Sequence, residues 1–245
     1  MSTTSETSRQ RQKRLKTFLI GDSHKYLRDG CPFFKLNMEL PQDITKERFR
    51  ADAYRFLSAC FCLPQKELFI QENIFKTLTN ALIHSCPEAA VFSSEMERAF
   101  SETGEEELKV EYARLFVGPY ELKAPPYGSV YLDGERRVMG NSTMEAIRLY
   151  EEAGLVIDQG FKELPDHIAV ELEFMYYLIH KEVEALEKSE KEKALALRET
   201  RNQFFNRLLS PWIPAFCQTM KESTDNLFYA ALANCLSTFA SKKEE

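Results

Sequence analysis

Glycine and proline are distributed unevenly along this chain, and their positions constrain its fold more than any other feature. The chain has nine glycines and ten prolines, and seven of these residues fall within residues 117–141. Both types break helices, because glycine is too flexible and proline lacks the backbone N–H. Their scarcity elsewhere leaves long stretches free for helices. We therefore predict an all-α fold with one long irregular connection.

Apolar residues on both sides of this connection recur at spacings of three and four, which is typical of helices with one buried face. The clearest stripe starts near Thr45 and ends before Pro64, and it consists of Phe49, Ala53, Phe56, Leu57, Cys60 and Phe61. Other predicted helices span 66–85, 87–103, 105–116 and 142–154. A long helix opens at 165–167, and the charged stretch 181–201 is either one solvent-facing helix or a helix pair with a turn near Ser189. Another helix starts between Pro211 and Pro214, and the last spans 227–239. Together these patterns predict a single globular bundle of about nine to eleven helices, without a convincing strand.

Three local signals refine this prediction. Ser142 and Glu145 have the spacing of a capping box, which satisfies backbone N–H groups at a helix start. Gly154 suits the left-handed position that ends many helices. Residues 130–132 and 137–139 flank an Asp-Gly pair and could form a small hairpin, although two short arms cannot make a β-domain.

The same patterns divide the chain into four parts. Residues 1–42 read as a basic, partly irregular N-terminal extension, and residues 43–116 as an N-terminal helical subdomain. Residues 117–141 form a linking loop, and residues 142–245 form a C-terminal helical subdomain. Irregular segments as long as this loop are uncommon in compact domains and tend to be functional.

A cluster of basic residues lies in the N-terminal extension, in a stretch without acidic residues. It consists of Arg9, Arg11, Lys13, Arg14 and Lys16. Setting these five aside leaves 27 of the 32 basic residues against 38 acidic ones. The net charge of −6 argues against a nucleic-acid partner, and the acidic remainder of the chain suits a basic partner peptide.

Cysteine spacing and hydropathy indicate the compartment. None of the six cysteines forms a CxxC pair or another spacing typical of zinc sites. After the basic cluster only residues 17–20 lean apolar, which is too short for the apolar core of a secretory signal. No stretch approaches the length of a membrane span. We therefore predict a cytoplasmic protein with reduced thiols and no stable membrane insertion.

The sequence lacks the motifs of common catalytic sites. It contains no GxGxxG, GxxxxGK[ST] or GxSxG pattern, so neither a phosphate-binding loop nor a nucleophile elbow is indicated. His167 and Glu171 lie four residues apart on one predicted helix and could share a metal ion. A metal site between helices needs a second such pair, and none is found. His167 equally suits a cap or a contact with the neighbouring loop.

Two stretches carry a family resemblance. The first reads EYARLFVGP at 111–119 and APPYGSVYLD at 124–133, and the second reads ELPDH at 163–167 and VELEFM at 170–175. In their order, separation and helical context they resemble the TorD/DmsD family of redox-enzyme maturation chaperones. The resemblance covers roughly residues 108–180. Tyr127 stands where the DmsD-like branch often has tryptophan, which gives a smaller stacking surface.

This resemblance implies an all-helical cytoplasmic chaperone without enzymatic activity. Its partners would be the apo form of a molybdopterin oxidoreductase and the twin-arginine signal peptide of that enzyme, held back from export until the cofactor is inserted. It implies no resident cofactor, although weak guanine-nucleotide binding has been proposed for some similar proteins. It also leaves open a monomer or a domain-exchanged dimer. The client-binding residues carried over by position are Leu115, Phe116, Pro125, Pro126, Tyr127, Ser129, Tyr131, Asp166 and His167.

The residues themselves favour a peptide-binding interpretation. Aromatic and proline side chains on a non-helical loop offer rigid apolar contacts to the apolar part of a leader peptide. Asp166, and Glu171 one turn further on, could pair with an arginine of that leader. Two alternatives stay open. One is a NarJ-like assembly chaperone of a membrane-bound nitrate reductase, and the other is a helical metal-dependent hydrolase that uses His167 and Glu171.

Overall fold

The apolar stripe that starts near Thr45 forms the first helix of the described residues, and it packs against the helix that follows the ELPDH motif. Helix α1 (Gln42–Cys60) buries Ala53, Leu57 and Cys60 on one face. Helix α8 (Ile168–Glu187) lies along this face. The computed structural model describes residues 42–118, 122–134, 138–156 and 163–241. All of these residues belong to one compact unit.

Eleven α-helices and no strand occur in the described ranges, which confirms the all-α prediction and the predicted number of helices. Besides α1 and α8 they are α2 (Lys66–Gln71), α3 (Ile74–Ser85), α4 (Pro87–Glu102), α5 (Glu105–Tyr112), α6 (Gly128–Leu132), α7 (Asn141–Glu152), α9 (Lys191–Phe204), α10 (Ile213–Ser223) and α11 (Leu227–Ala240). Helix α5 continues into a π-helical turn, Ala113–Val117, and α9 continues into another, Phe205–Leu209. None of the helices in these ranges combines the length and the apolar character that crossing a bilayer requires.

A cluster of aromatic rings fills the core between α2, α3, α4 and α11. The Phe100 ring is stacked on Phe69 at a centroid distance of 4.8 Å and contacts the edge of Phe75 at 5.0 Å. Phe228 lies 5.1 Å from the same ring. All four side chains are buried, so the cluster joins the early helices to the last one.

A buried ion-pair network joins α1, α8 and α9. The Arg201 guanidinium donates to Glu182 at 2.8 Å and to Glu47 at 3.0 Å. Arg198 donates to the other oxygen of Glu182 at 2.7 Å, and Arg50 pairs with Glu47. Arg201 and Glu182 are each 1% exposed at the side chain. Each charge in this part of the core therefore faces an opposite one, as buried charges require.

The single helix predicted over 66–85 is wrong, because the structure divides it into α2 and α3. The break lies at Asn73, which adopts the left-handed conformation with φ 50°. Asparagine tolerates this region better than other side chains except glycine. The break lets Phe69 on α2 and Phe75 on α3 both enter the aromatic cluster.

The hairpin predicted from 130–132 and 137–139 is also wrong. Residues 130–132 belong to helix α6, and residues 135–137 lie outside the described residues. The only bridge between extended residues in the described ranges joins Tyr127 to His167. The start of α6 is fixed instead by Asp166, whose carboxylate accepts the Ser129 N–H at 2.8 Å. A residue distant in sequence therefore stabilises the start of this helix.

The start of α7 is capped from across the loop rather than by the predicted capping box. The Asp133 carboxylate accepts the Ser142 N–H at 3.1 Å and the Ser142 hydroxyl at 2.7 Å. Glu145, the predicted partner of Ser142, pairs with Arg207 at 3.0 Å. Asp133 reaches over Gly140, where a Cβ atom would lie 2.1 Å from its Oδ2. The pairing of Ser142 with Glu145 is therefore wrong, although the helix start is close to the predicted one.

Other predicted boundaries are confirmed. Pro87 lies in the first turn of α4, and Gly154 ends α7 with φ 77°. The Leu155 N–H donates to Tyr150 O at 2.9 Å, as in many helices that end with a left-handed glycine. The predicted basic extension lies outside the described residues apart from Gln42, and the boundaries predicted at 43–116, 117–141 and 142–245 remain predictions.

Candidate functional site

The Pro/Gly-rich loop and the start of α8 meet, as the two sequence motifs predict. The Ile168 N–H donates to Pro126 O at 2.8 Å, and the Gly128 N–H donates to Asp166 O at 2.9 Å. Tyr127 and His167 form the antiparallel bridge between these two bonds. The backbone of one motif is therefore joined directly to the backbone of the other.

Asp166 is buried at the centre of this junction. Asp166 is only 1% exposed, and its side-chain Oδ2 accepts the Ser129 N–H. No donor in the described part of the chain lies within hydrogen-bond distance of its Oδ1. In this arrangement Asp166 holds the start of α6, and its carboxylate does not face solvent.

His167 caps α8. Its Nδ1 accepts the Ala169 N–H at 3.1 Å, and its ring meets the Tyr127 ring edge-on at a centroid distance of 5.5 Å. The residue is 2% exposed, and burial lowers the pKa of His167 to about 3. The imidazole is therefore neutral at physiological pH, which is the form in which Nδ1 can accept a hydrogen bond. The predicted contact with the loop is confirmed.

Glu171 lies one turn further along α8 and is also buried. Its Oε2 accepts the indole N–H of Trp212 at 3.0 Å. Burial raises the pKa of Glu171 well above its ordinary value of 4.5; the Trp212 hydrogen bond opposes this shift, and the Asp166 charge adds to it. Gly128 lies against the pair, because a Cβ atom there would be 3.0 Å from Glu171 Oε1 and 3.1 Å from Trp212 Nε1.

A shared metal ion at His167 and Glu171 is a poor fit to this geometry. Nδ1 of the histidine faces a backbone N–H, and Oε2 of the glutamate faces the indole of Trp212. Over the described ranges, no group of three or more histidine, cysteine, aspartate or glutamate residues is placed to hold a metal ion. Both side chains instead have structural partners.

Leu115 and Phe116 lie in the first π-helical turn and point into the core. Leu115 is fully buried, and its carbonyl accepts the Ala124 N–H at 3.0 Å. The Phe116 ring packs between Tyr112 at 5.3 Å and Tyr229 at 5.8 Å. Such turns widen a helix locally and often occur beside functional sites. These two side chains shape the entry to the loop.

The remaining predicted contact residues differ in exposure. Pro125, Pro126 and Ser129 are buried. Tyr131 is half-buried and stacks on the Trp212 ring at a centroid distance of 5.5 Å and an angle of 20°. The structure therefore brings nearly all predicted residues into one junction, but most of them face its interior.

The edge of the junction carries Tyr127 and Glu163, and a second carboxylate, that of Glu173, lies further along α8. Tyr127 is half-buried, and its hydroxyl donates to Glu163 Oε2 at 2.9 Å. Burial raises the pKa of Tyr127, and the nearby Glu163 charge and this hydrogen bond add to the shift. Half-buried Glu173 lies two turns into α8. We call Tyr127, Glu163 and Glu173 the Tyr127 face.

Glu173 carries the most unusual carboxylate on this face. Burial raises the pKa of Glu173 to about 7, although the Arg55 guanidinium opposes the shift. Burial also raises the pKa of Cys62 to about 12, and the charges of Glu173 and Glu163 add to that shift. Both carboxylates therefore lie within electrostatic range of the same thiol. The Tyr127 face therefore combines one aromatic ring with two carboxyl groups.

Four residues of the junction were not among the predicted site residues. Glu163 and Glu173 both lie within the second motif, so both could have been found there. Gly128 lies between two predicted residues, and its close packing is invisible in the sequence. Trp212 is 41 positions after Glu171 and has no local signal beyond being the only tryptophan.

A family model matches this region. The model described as "Nitrate reductase delta subunit" matches residues 83–218. This span is more than half of the chain and includes both motifs and the whole junction.

Three relatives extend this result. The chaperone protein TorD of Photobacterium profundum is 37% identical over 134 residues, covering 54% of this chain and 60% of that protein. The chaperone protein TorD of Aliivibrio salmonicida is 31% identical over 199 residues, covering 78% of this chain and 90% of that protein. The Tat proofreading chaperone DmsD of Salmonella typhi is 32% identical over 133 residues, covering 54% of this chain and 58% of that protein.

Proposed function

This chain belongs to the TorD/NarJ family, and on that basis we propose that it is a maturation chaperone for a molybdenum-containing oxidoreductase. It binds the apo form of its client and the client's twin-arginine leader in the cytoplasm, assists cofactor insertion and delays export. It acts by binding and catalyses no reaction. One observation carries the proposal: the matched span contains both motifs, and the structure joins them in one junction.

The Tyr127 face is the surface that we assign to the leader. Tyr127 offers a half-buried aromatic ring, which suits apolar contact with the leader at little cost in side-chain entropy. Glu163 accepts a hydrogen bond from the Tyr127 hydroxyl, and Glu173 lies within electrostatic range of the same Cys62 thiol as Glu163. A guanidinium pairs with carboxylates in a fixed planar geometry. An acidic surface next to an aromatic ring therefore suits a peptide with two arginines followed by apolar residues.

Asp166 has a supporting role in this proposal. A leader arginine could reach its carboxylate only if the junction opened, because Asp166 is 1% exposed. The direct partner of the arginine is therefore Glu173, assisted by Glu163. Glu173 gains most from a cation, because burial already disfavours its ionised form.

Isothermal titration calorimetry with two synthetic leader peptides tests this assignment. One peptide carries the two arginines, and the other has glutamine at both positions. We expect Glu173→Gln to weaken binding of the arginine peptide by about tenfold, or ~1.4 kcal/mol. Binding of the glutamine peptide should change by less than about twofold, because that peptide lacks the charges that Glu173 recognises.

The pKa of Glu173 gives a second test in the same titration. Below pH 7 the carboxyl group of Glu173 is mostly protonated, so pairing with arginine requires proton release. Affinity for the arginine peptide should therefore rise as pH increases from about 6 to 8. This rise should disappear in Glu173→Gln and should be absent for the glutamine peptide.

Glu192→Gln is the matched control, because this glutamate is exposed in the first turn of α9. It should bind both peptides as the unmodified chain does. If the unmodified chain bound neither peptide, the leader-binding proposal would be wrong. Binding that is equally strong for both peptides would instead remove the arginine-recognition role of Glu173.

The family model's own description, that of a nitrate reductase delta subunit, supports a second candidate. In that case the client is a membrane-bound nitrate reductase, whose catalytic subunit need not carry an export leader. Co-purification from cells of the native host, followed by mass spectrometry of the bound partner, distinguishes the two. A client with a twin-arginine leader favours the first proposal, and a client without one favours the second.

A further inference from the structure

The only tryptophan of the chain lies directly behind the loop. Trp212 is 1% exposed and follows the second π-helical turn, at the start of α10. Its indole N–H donates to the buried carboxyl group of Glu171 at 3.0 Å. Neither residue can touch a molecule bound at the surface, because each is only 1% exposed.

This pair is packed directly against the first residue of α6. A Cβ atom on Gly128 would lie 3.0 Å from Glu171 Oε1, 3.1 Å from Trp212 Nε1 and 3.4 Å from Trp212 Cε2. Few real Cβ atoms have neighbours this close. The backbone of α6 can therefore approach the pair only because residue 128 is glycine.

Trp212 also contacts the other end of α6. The Tyr131 ring is stacked on the Trp212 ring at 5.5 Å, and it contacts Phe216 on α10 at 6.1 Å. Helix α6 has only five residues, and a helix of that length is not stable by itself. Its position is therefore set by the contacts it makes with Asp166, Glu171 and Trp212.

Tyr127 immediately precedes α6, so the position of α6 determines where its ring is presented. We propose that Trp212 and Glu171 are positioning residues for client binding. They act through Gly128 and Tyr131, by fixing α6 and with it the Tyr127 face. The inference rests on the proposed function, and it assigns to the C-terminal helices a part in recognition that neither sequence motif contains.

Two variants separate positioning from contact. Trp212→Phe keeps a ring to stack on Tyr131 but removes the indole N–H that Glu171 accepts. Gly128→Ala places a methyl group in the space between Glu171 and Trp212. Neither change alters a residue of the Tyr127 face, that is, Tyr127, Glu163 or Glu173. Gly104→Ala is the matched control, because a Cβ atom at Gly104, also at a helix start, meets no atom within 4 Å.

Hydrogen exchange measured by mass spectrometry gives the structural readout. We expect faster exchange over 124–132 in Trp212→Phe and Gly128→Ala, with unchanged exchange in α3 and α4. Calorimetry with the arginine leader peptide gives the functional readout. Both variants should bind it about tenfold more weakly than the unmodified chain, a loss equal to ~1.4 kcal/mol. Gly104→Ala should match the unmodified chain in both measurements.

The outcomes are distinguishable. If exchange over 124–132 rises and affinity does not change, the pair has only a structural role and the inference is overturned. Unchanged exchange and affinity in both variants overturn it as well. If Gly128→Ala does not fold, Trp212→Phe alone decides. If the unmodified chain binds no leader peptide, the proposed function fails first, and the exchange data still show whether the pair fixes α6.

Discussion

Removing the Arg201 guanidinium should destabilise the fold strongly. The network of Arg201, Glu182 and Glu47 joins α9, α8 and α1. Arg201→Met keeps most of the aliphatic length of the side chain and removes only the charge and its donors. Glu182, 1% exposed at the side chain, then keeps Arg198 as its charged partner.

The size of the effect follows from burial. Breaking a buried ion pair by removing one partner costs about 3–5 kcal/mol, because the remaining charge is left without compensation in a poorly solvated position. Arg201 pairs with two carboxylates, at 2.8 Å and 3.0 Å. Glu47 is less buried, with 12% of its side chain exposed, and it keeps Arg50 as a partner. We therefore expect a loss of about 3 kcal/mol in the free energy of unfolding, at the lower end of that range.

Urea unfolding followed by circular dichroism at 222 nm, a helix signal, measures this loss. Arg98→Ala is the control, because its pair with Glu102 is about 60% exposed on both sides and should contribute ~0.5 kcal/mol or less. The double variant Glu182→Leu, Arg201→Met should recover at least half of the loss, since it removes the two charges that are 1% exposed, whereas the Arg198 side chain is 40% exposed to solvent. A loss below about 1 kcal/mol for Arg201→Met, or a double variant less stable than the single one, would refute the reasoning.

Two further predictions concern the junction. The folded-state pKa of Glu171 is raised above 4.5, so the folded chain retains a proton that the unfolded chain releases, and stability falls as pH rises from about 4.5. Glu171→Gln keeps an oxygen that can accept the Trp212 N–H, so this decline should be smaller, and the variant should be more stable than the unmodified chain at pH 8. An identical dependence of melting temperature on pH in the two proteins would contradict the raised pKa of Glu171. Gly140→Ala should cost about 1–2 kcal/mol, because its Cβ would displace the Asp133 carboxylate that caps α7. Gly104→Ala should change the urea midpoint little, and equal losses in the two variants would contradict the capping argument.

Helices could be predicted from this sequence wherever the apolar period is long and its ends carry proline or glycine. Pro87 and Gly154 mark boundaries within a residue or so of those in the structure. The break at Asn73 could not be predicted, because one left-handed residue interrupts an apolar pattern that continues on both sides. Helix α6 could not be predicted either, since a carboxylate 37 positions after Ser129 stabilises its start.

The location of the site could be predicted, but its interior could not. The two motifs contain the residues that meet, and sequence order already indicates that a loop and a helix start are involved. The burial of Asp166 and His167 could not be predicted from the sequence. Aspartate and histidine on a loop are usually exposed, whereas Asp166 and His167 are 1% and 2% exposed because each satisfies a backbone N–H. Trp212 joins the junction through a hydrogen bond to Glu171 and by stacking on Tyr131, contacts distant in sequence that local patterns do not encode.

The two kinds of residue in the junction should respond differently to substitution. Asp166 and His167 hold backbone groups, so changes there alter stability and the Tyr127 face together. Glu173 is half-buried and makes no such cap, so its substitution by glutamine should lower affinity for the arginine peptide without lowering the free energy of unfolding, because burial already disfavours the ionised carboxylate. A binding defect at Asp166 is therefore weak proof of contact with the client. Contact is established by a residue whose substitution lowers affinity for one peptide without lowering the free energy of unfolding, and Glu173 is where the structure offers that test.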